Sequence, residues 1–244
     1  MGKIGVMGQL GTNATTVESA PARVRAWTFA ATAALGWALF TLTILHLVSS
    51  FDPLTDPVSR YAFTDEGQGM LEASLLSFAV GVLAVRGTLA AAGLRISRTT
   101  TVLVVAAAGG LVAAALFPAA FESDVDPVSG LIHQYGSLLA FLCVPGIALS
   151  LLDQLRDSPD AAHQAARRGL QRVVWPSIGL LVLFGASYVA DKLSGGPPPL
   201  STLLTLLDLL PEALIQRGVF LADFVLLAAL LTLANRVVRA RVSR

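Results

Sequence analysis

A single cysteine, Cys143, stands in a chain of 244 residues. No intrachain disulfide can form, and no cysteine pair is on hand to hold zinc. Cys143 lies inside an apolar run and reads as a packing residue. Charge is scarce as well. Asp, Glu, Lys and Arg make up 14% of the chain, where a soluble domain carries about a quarter. The familiar signatures of soluble chemistry are missing. GQLGTNA at 8–14 follows no strand and cradles no phosphate, and no Gly-x-Ser-x-Gly elbow occurs. No His-x-x-His or Glu-x-x-His pair occurs either. No cofactor is expected, and the net charge of +1 points to no nucleic-acid partner.

What the chain does have is apolar sequence. Hydrophobic residues are 55% of it and the mean hydropathy is +0.70. About 20 apolar residues span a bilayer core of roughly 30 Å. Six runs qualify: 26–49, 69–89, 100–119, 130–152, 173–190 and 213–235. The expected fold class is all-α, a polytopic six-transmembrane-helix bundle. Residues 1–22 read as a flexible cytoplasmic tail, 23–238 as the transmembrane domain and 239–244 as a basic cytoplasmic tail. The first run is too long for a signal-peptide core and reads as a retained helix. In the third run Ala106, Gly110 and Ala114 recur every four residues, a small-residue stripe for close helix packing.

Charge placement gives an orientation. With a cytoplasmic N-terminus, only Arg60, Lys192 and Arg217 of the 17 Lys and Arg residues fall outside. Every inside segment is then basic, including RVVRARVSR at the C-terminus, which flanks the last helix and faces anionic lipid. The outside is acidic, with Asp52, Asp56, Asp65, Glu66, Glu72, Glu122, Asp124, Asp126, Asp191, Asp208 and Glu212. The expected location is the plasma membrane, with both termini cytoplasmic. In the last outer loop, GGPPP at 195–199 precedes LSTLLTLLDLL, too short to span and suited to a re-entrant or interfacial helix.

The phrase Asp-Pro-Val-Ser occurs twice on that acidic side, at 56–59 and 126–129. Asp is a good N-cap and Pro suits the first helical position. The second copy leads straight into the fourth span. The first predicts a short surface helix ending near Gly67, with Tyr61 at the membrane interface. Two readings stay open, a duplicated two-helix unit and two independent uses of one capping solution. Ser129 and His133 share a helix face, with Asp126 near it. Either Asp126 caps, Ser129 bonds backbone and His133 packs, or the face lines a cavity.

Ionisable residues within spans are functional suspects. Here they are His46, Glu72, His133, Arg217 and Asp223. All but Asp223 lie in the outer half, which predicts an outward-opening polar pocket rather than a path through the membrane. The plain alternative has Arg217 snorkelling and pairing with Glu212 or Glu72, while both histidines bond backbone. A buried Asp223 must be paired, hydrogen-bonded or protonated.

Three features together resemble a known family. They are Phe51-Asp52-Pro53-Leu54-Thr55-Asp56-Pro57-Val58-Ser59, Phe117-Pro118 followed by acids and Gly130-Leu131-Ile132-His133, and Ile215-Gln216-Arg217-Gly218. Over about residues 30–235 the chain resembles the bacterial and archaeal membrane family called domain of unknown function 998. The resemblance implies a six-helix bundle with these polar motifs on one side, and no reaction. The chain departs from the family pattern at Phe51, where an aromatic hydroxyl is usual, and at Ala119, where an acid or Thr often follows Phe-Pro; Glu122, Asp124 and Asp126 stand in for that acid.

The leading functional expectation is a pocket that binds or processes a lipid or isoprenoid-like amphiphile. His133, Asp223 and Glu72 are its acid–base candidates. Arg217 would hold an anionic headgroup, with His46, Asp52, Asp56, Arg60, Asp126 and Ser129 as further ligand contacts. A metal version rests on His46 and His133. Two other readings stay open, a proton-coupled small-molecule transporter turning on Asp223 and a structural or assembly subunit. The expected partners are membrane lipids, an amphiphilic small molecule, and a protein partner or second copy.

Overall fold

In a computed structural model of the chain, the described residues are 10–63, 69–121, 126–193 and 212–242. They form six long helices: α1 (Leu10–Val48), α2 (Met70–Ala91), α3 (Arg98–Leu116), α4 (Pro127–Gln154), α5 (Ala161–Leu193) and α6 (Glu212–Val242). A 3₁₀ helix, Val58–Phe63, lies between α1 and α2. No strand occurs among the described residues. Each long helix holds a segment long and apolar enough to cross a membrane, from Pro21–Val48 in α1 to Glu212–Arg241 in α6. GGPPP at 195–199, LSTLLTLLDLL at 200–210, Gly67 and acids Asp65, Glu66, Glu122, Asp124 and Asp208 lie outside the described residues, as do the side chains of Asp191 and Lys192.

One expectation shifts at the N-terminal side. Residues 10–22, read from sequence as tail, are helical and run into the first span. A helix already nucleated in the span extends at little cost, since each added residue contributes a hydrogen bond. Pro21 removes only one donor from that extension.

Successive helices pair as antiparallel hairpins, α1 on α2, α3 on α4 and α5 on α6. α2 also meets α3, and α6 packs on both α2 and α4. One end of the bundle carries Asp56-Pro57 and Asp126-Pro127, and we call it the Asp-Pro end. The other, with Arg86, Arg95, Arg156 and Arg241, is the arginine end.

Helix ends are satisfied by side chains in turn. Asp126 Oδ2 accepts from the Ser129 N–H at 3.1 Å, with Pro127 beside it, and so caps α4. Ser97 Oγ caps α3 through the Thr100 N–H at 3.0 Å. α2 closes on Gly93, whose φ of 74° only glycine adopts freely. There Leu94 N–H donates to Leu89 C=O and Gly93 N–H to Ala90 C=O, a Schellman closure. The Arg241 guanidinium then covers the exposed Ala92 and Gly93 carbonyls, at 2.9 and 3.3 Å.

The two Asp-Pro phrases diverge in structure. After Asp126 comes a 28-residue helix; after Asp56 comes a six-residue 3₁₀ helix. Asp56 caps nothing there. One of its oxygens accepts from the Asp52 N–H at 3.0 Å and the other from Arg60 at 2.6 Å, so the loop closes on itself. Tyr61, expected at the interface, is fully buried.

The small-residue stripe on α3 meets α4. A Cβ on Gly110 would overlap the Gly136 carbonyl, and one on Gly136 would sit 2.8 Å from the Gly110 carbonyl oxygen. These backbones touch because neither residue has a side chain. Gly110→Ala should therefore cost about 1–3 kcal/mol and lower the melting temperature in detergent. Gly109→Ala, with nothing within 4 Å of its new carbon, should leave it unchanged or slightly raised. Equal losses at both positions would rule out the backbone contact as the cause.

Candidate functional site

At the Asp-Pro end a cavity of about 650 Å³ opens between the 3₁₀ segment, the α3–α4 connection and helices α4, α5 and α6. Its apolar wall comes from Leu131, Leu138, Phe141 and Phe184. His133, Gln134, Ser137, Gln216 and Glu212 supply polar groups. Thr55, Pro57 and Ser59 form the loop side. No Lys or Arg lines it among the described residues.

His133 is held by a defect in α3. The Ala114 carbonyl would ordinarily accept from the N–H four residues on, but that residue is Pro118, which has none. His133 Nδ1 supplies the missing donor, 2.8 Å from Ala114 O and 2.9 Å from Phe117 O. Both partners are carbonyls, so Nδ1 carries the hydrogen and Nε2 is a bare acceptor in the neutral ring. Ser129 adds a bond from its hydroxyl to Pro118 O at 3.2 Å. Phe-Pro on α3 and Ser129…His133 on α4 are thus two halves of one joint.

Arg217 and His46 form a second group, apart from that cavity. Arg217 Nε donates to His46 Nε2 at 2.9 Å, and Nη2 donates to the Tyr61 hydroxyl at 2.6 Å. Its Nη1 donates to Ala213 O at 2.9 Å. An arginine only donates, so His46 Nε2 is the acceptor and its Nδ1 carries the hydrogen bonded to Leu42 O at 2.7 Å. The Tyr61 ring meets His46 edge-on and stacks on Phe51 at centroid distances of 4.9 and 5.9 Å. The Val58 N–H donates to Gln216 Oε1 at 2.9 Å, pinning the 3₁₀ helix to α6. A groove of about 230 Å³ runs beside this group between α1 and α6.

The five ionisable span residues therefore do not converge on one pocket. His133 lines the cavity; His46 and Arg217 line the groove. Asp223 is 2% exposed, lines neither, and has no hydrogen bond or ion pair among the described residues. It sits about 9 Å below Arg217 along α6, beside the Phe78–Phe224 stack at 4.4 Å. One oxygen of Glu72 is buried without a hydrogen-bond partner. Three N–H groups of Arg217 go to neutral acceptors, and it forms no ion pair with Glu72 or Glu212. Asp52, Asp56, Arg60 and Asp126 bond locally and are not among the residues lining the cavity; Asp52 accepts from the Leu54 N–H at 2.8 Å. Among the described residues no three His, Cys, Asp or Glu side chains cluster to hold a metal, and both nitrogens of His46 are engaged.

From the sequence, Tyr61 is marked only as an interface residue and Gln216 only as part of Ile215-Gln216-Arg217-Gly218, and neither as a member of the site. The available signal was Arg217 itself, since a span arginine needs neutral acceptors or an anion close by.

The Pro118 joint gives a double-mutant test. His133→Ala should cost about 1–3 kcal/mol by stranding a buried carbonyl. Adding Pro118→Ala restores a backbone N–H and should recover much of that loss. Additive losses in thermal stability would show that Pro118 is not the reason His133 is held there.

A family model described as Protein of unknown function (DUF998) matches residues 31–233. No curated protein and no solved structure gives a match. With most of its length matched, the chain belongs to that family.

Proposed function

We propose that this member of the unknown-function family 998 binds an amphiphile of lipid or isoprenoid type in the cavity at its Asp-Pro end, and that this end faces away from the cytoplasm. The observation that carries the reading is the cavity itself. Its volume of about 650 Å³ falls in the range of small-molecule sites, roughly 300–1,000 Å³. Its lining joins aliphatic and aromatic walls to a few polar groups at one helix end.

The polar set narrows the head group. His133 Nε2, an acceptor on a cavity-lining residue, suits a head that donates a hydrogen bond, a hydroxyl or an amine. A phosphate fits poorly, because no cation lines the cavity among the described residues. If the bound head is processed, His133 Nε2 is the group placed to take its proton, with the ring fixed by the Ala114 and Phe117 carbonyls.

Two experiments test this. In the first, lipid extracts of purified protein are compared by mass spectrometry for the wild type and Ser137→Trp, which fills the cavity. We expect a hydroxyl- or amine-headed amphiphile with the wild type and its loss from the variant. Extracts that match the bulk membrane in both proteins would sink the reading. In the second, a cysteine placed at the exposed Leu54, with Cys143→Ser, should react with a membrane-impermeant maleimide in intact cells. Labelling only after lysis would reverse the orientation.

A further inference from the structure

The groove between α1 and α6 is separate from the cavity and differs from it in charge. Arg217 and His46 stand at its Asp-Pro end, and its remaining lining is almost wholly apolar. Leu39 lies seven residues from His46, and Phe224 seven residues from Arg217. The two helices are antiparallel, so both offsets run the same way, about 10 Å toward the middle of the membrane. Leu39 and Leu221 are exposed on membrane-crossing segments, so the groove opens to the lipid rather than to another helix.

Among the described residues, no anion offsets the charge in this groove. A guanidinium has five N–H donors. Three of those on Arg217 are used, by His46, Tyr61 and the Ala213 carbonyl, and all three partners are neutral. Two donors and a full positive charge remain, and no acidic side chain pairs with Arg217 among the described residues. A half-buried cation above an apolar trough open to lipid suits an anion that carries a hydrocarbon tail.

We propose that the α1–α6 groove is a binding site for an anionic membrane phospholipid. Its phosphate takes the two remaining N–H groups of Arg217 in the planar, forked geometry that guanidinium favours. One acyl chain lies along Leu39, Leu42, Phe220 and Phe224. Tyr61 and His46 hold the guanidinium in place, so the site is pre-organised by neutral partners that do not compete for its charge. The site is distinct from the cavity and does not depend on the function proposed for it.

The test places the full chain in nanodiscs of equal parts phosphatidylglycerol and phosphatidylcholine, and reads retained lipid by native mass spectrometry. The wild type should keep phosphatidylglycerol over phosphatidylcholine by about fivefold, the effect of one basic residue at a membrane surface. Arg217→Gln, which keeps donors for Tyr61, should bring the two lipids to parity. Leu221→Trp at the exposed rim should cut retention of both, and it leaves every Arg217 bond in place, so it carries the test if the Gln variant fails to fold. Equal retention by the wild type, a preference that survives in Arg217→Gln, or undiminished retention in Leu221→Trp overturns the proposal. Displacement of the bound lipid by millimolar inorganic phosphate also overturns it, since the site would then recognise a free anion.

Discussion

Inside a membrane, a backbone carbonyl that loses its donor must find another within the protein. At Ala114 the missing donor is the N–H that Pro118 lacks, and a side chain from the neighbouring helix, His133, replaces it. Much of the Asp-Pro end follows from that one substitution of partners. It ends α3 against α4, brings Ser129 onto Pro118 and sets the floor of the cavity. The Gly110–Gly136 backbone contact lies about one turn further along the same interface.

Charge is handled by the same logic with different means. Arg217 bonds acceptors that carry no charge, and Asp223 is buried with no ion pair among the described residues. At the arginine end, Thr100, Ser150 and Gln154 satisfy one another, with Thr100 Oγ1 2.9 Å from both Ser150 Oγ and Gln154 Nε2. The spanning region thus has buried polar groups without buried ion pairs among the described residues; the ion pair that is present, Arg60–Asp56, is in a loop. Neutral pairing avoids desolvating two charges at once.

How much of this was legible in the sequence depended on range. Spans were readable because hydropathy over about 20 residues is a local property, and six of them emerged. The Asp126 cap was readable because its partner, Ser129, is three residues away. The small-residue stripe on α3 announced a close contact, although not that Gly136 was the partner. The division of the polar residues between cavity and groove was not readable. It turns on which way Tyr61 and Arg217 face, and they lie 156 residues apart. The first Asp-Pro phrase misled for a similar reason. Its capping chemistry was intact, but Arg60 and the Asp52 N–H took the carboxylate first.

The staple at the end of α2 has a consequence for how the protein is assembled. The carbonyl of Ala92 is covered by Arg241, a residue 149 positions later in the chain. When the first hairpin enters the membrane, that partner has not been synthesised, and water at the membrane surface must serve in its stead. The end of α2 is therefore completed by the last helix. The turn after α2 closes on itself early, and its last two carbonyls gain a protein partner only when the sixth helix is in place.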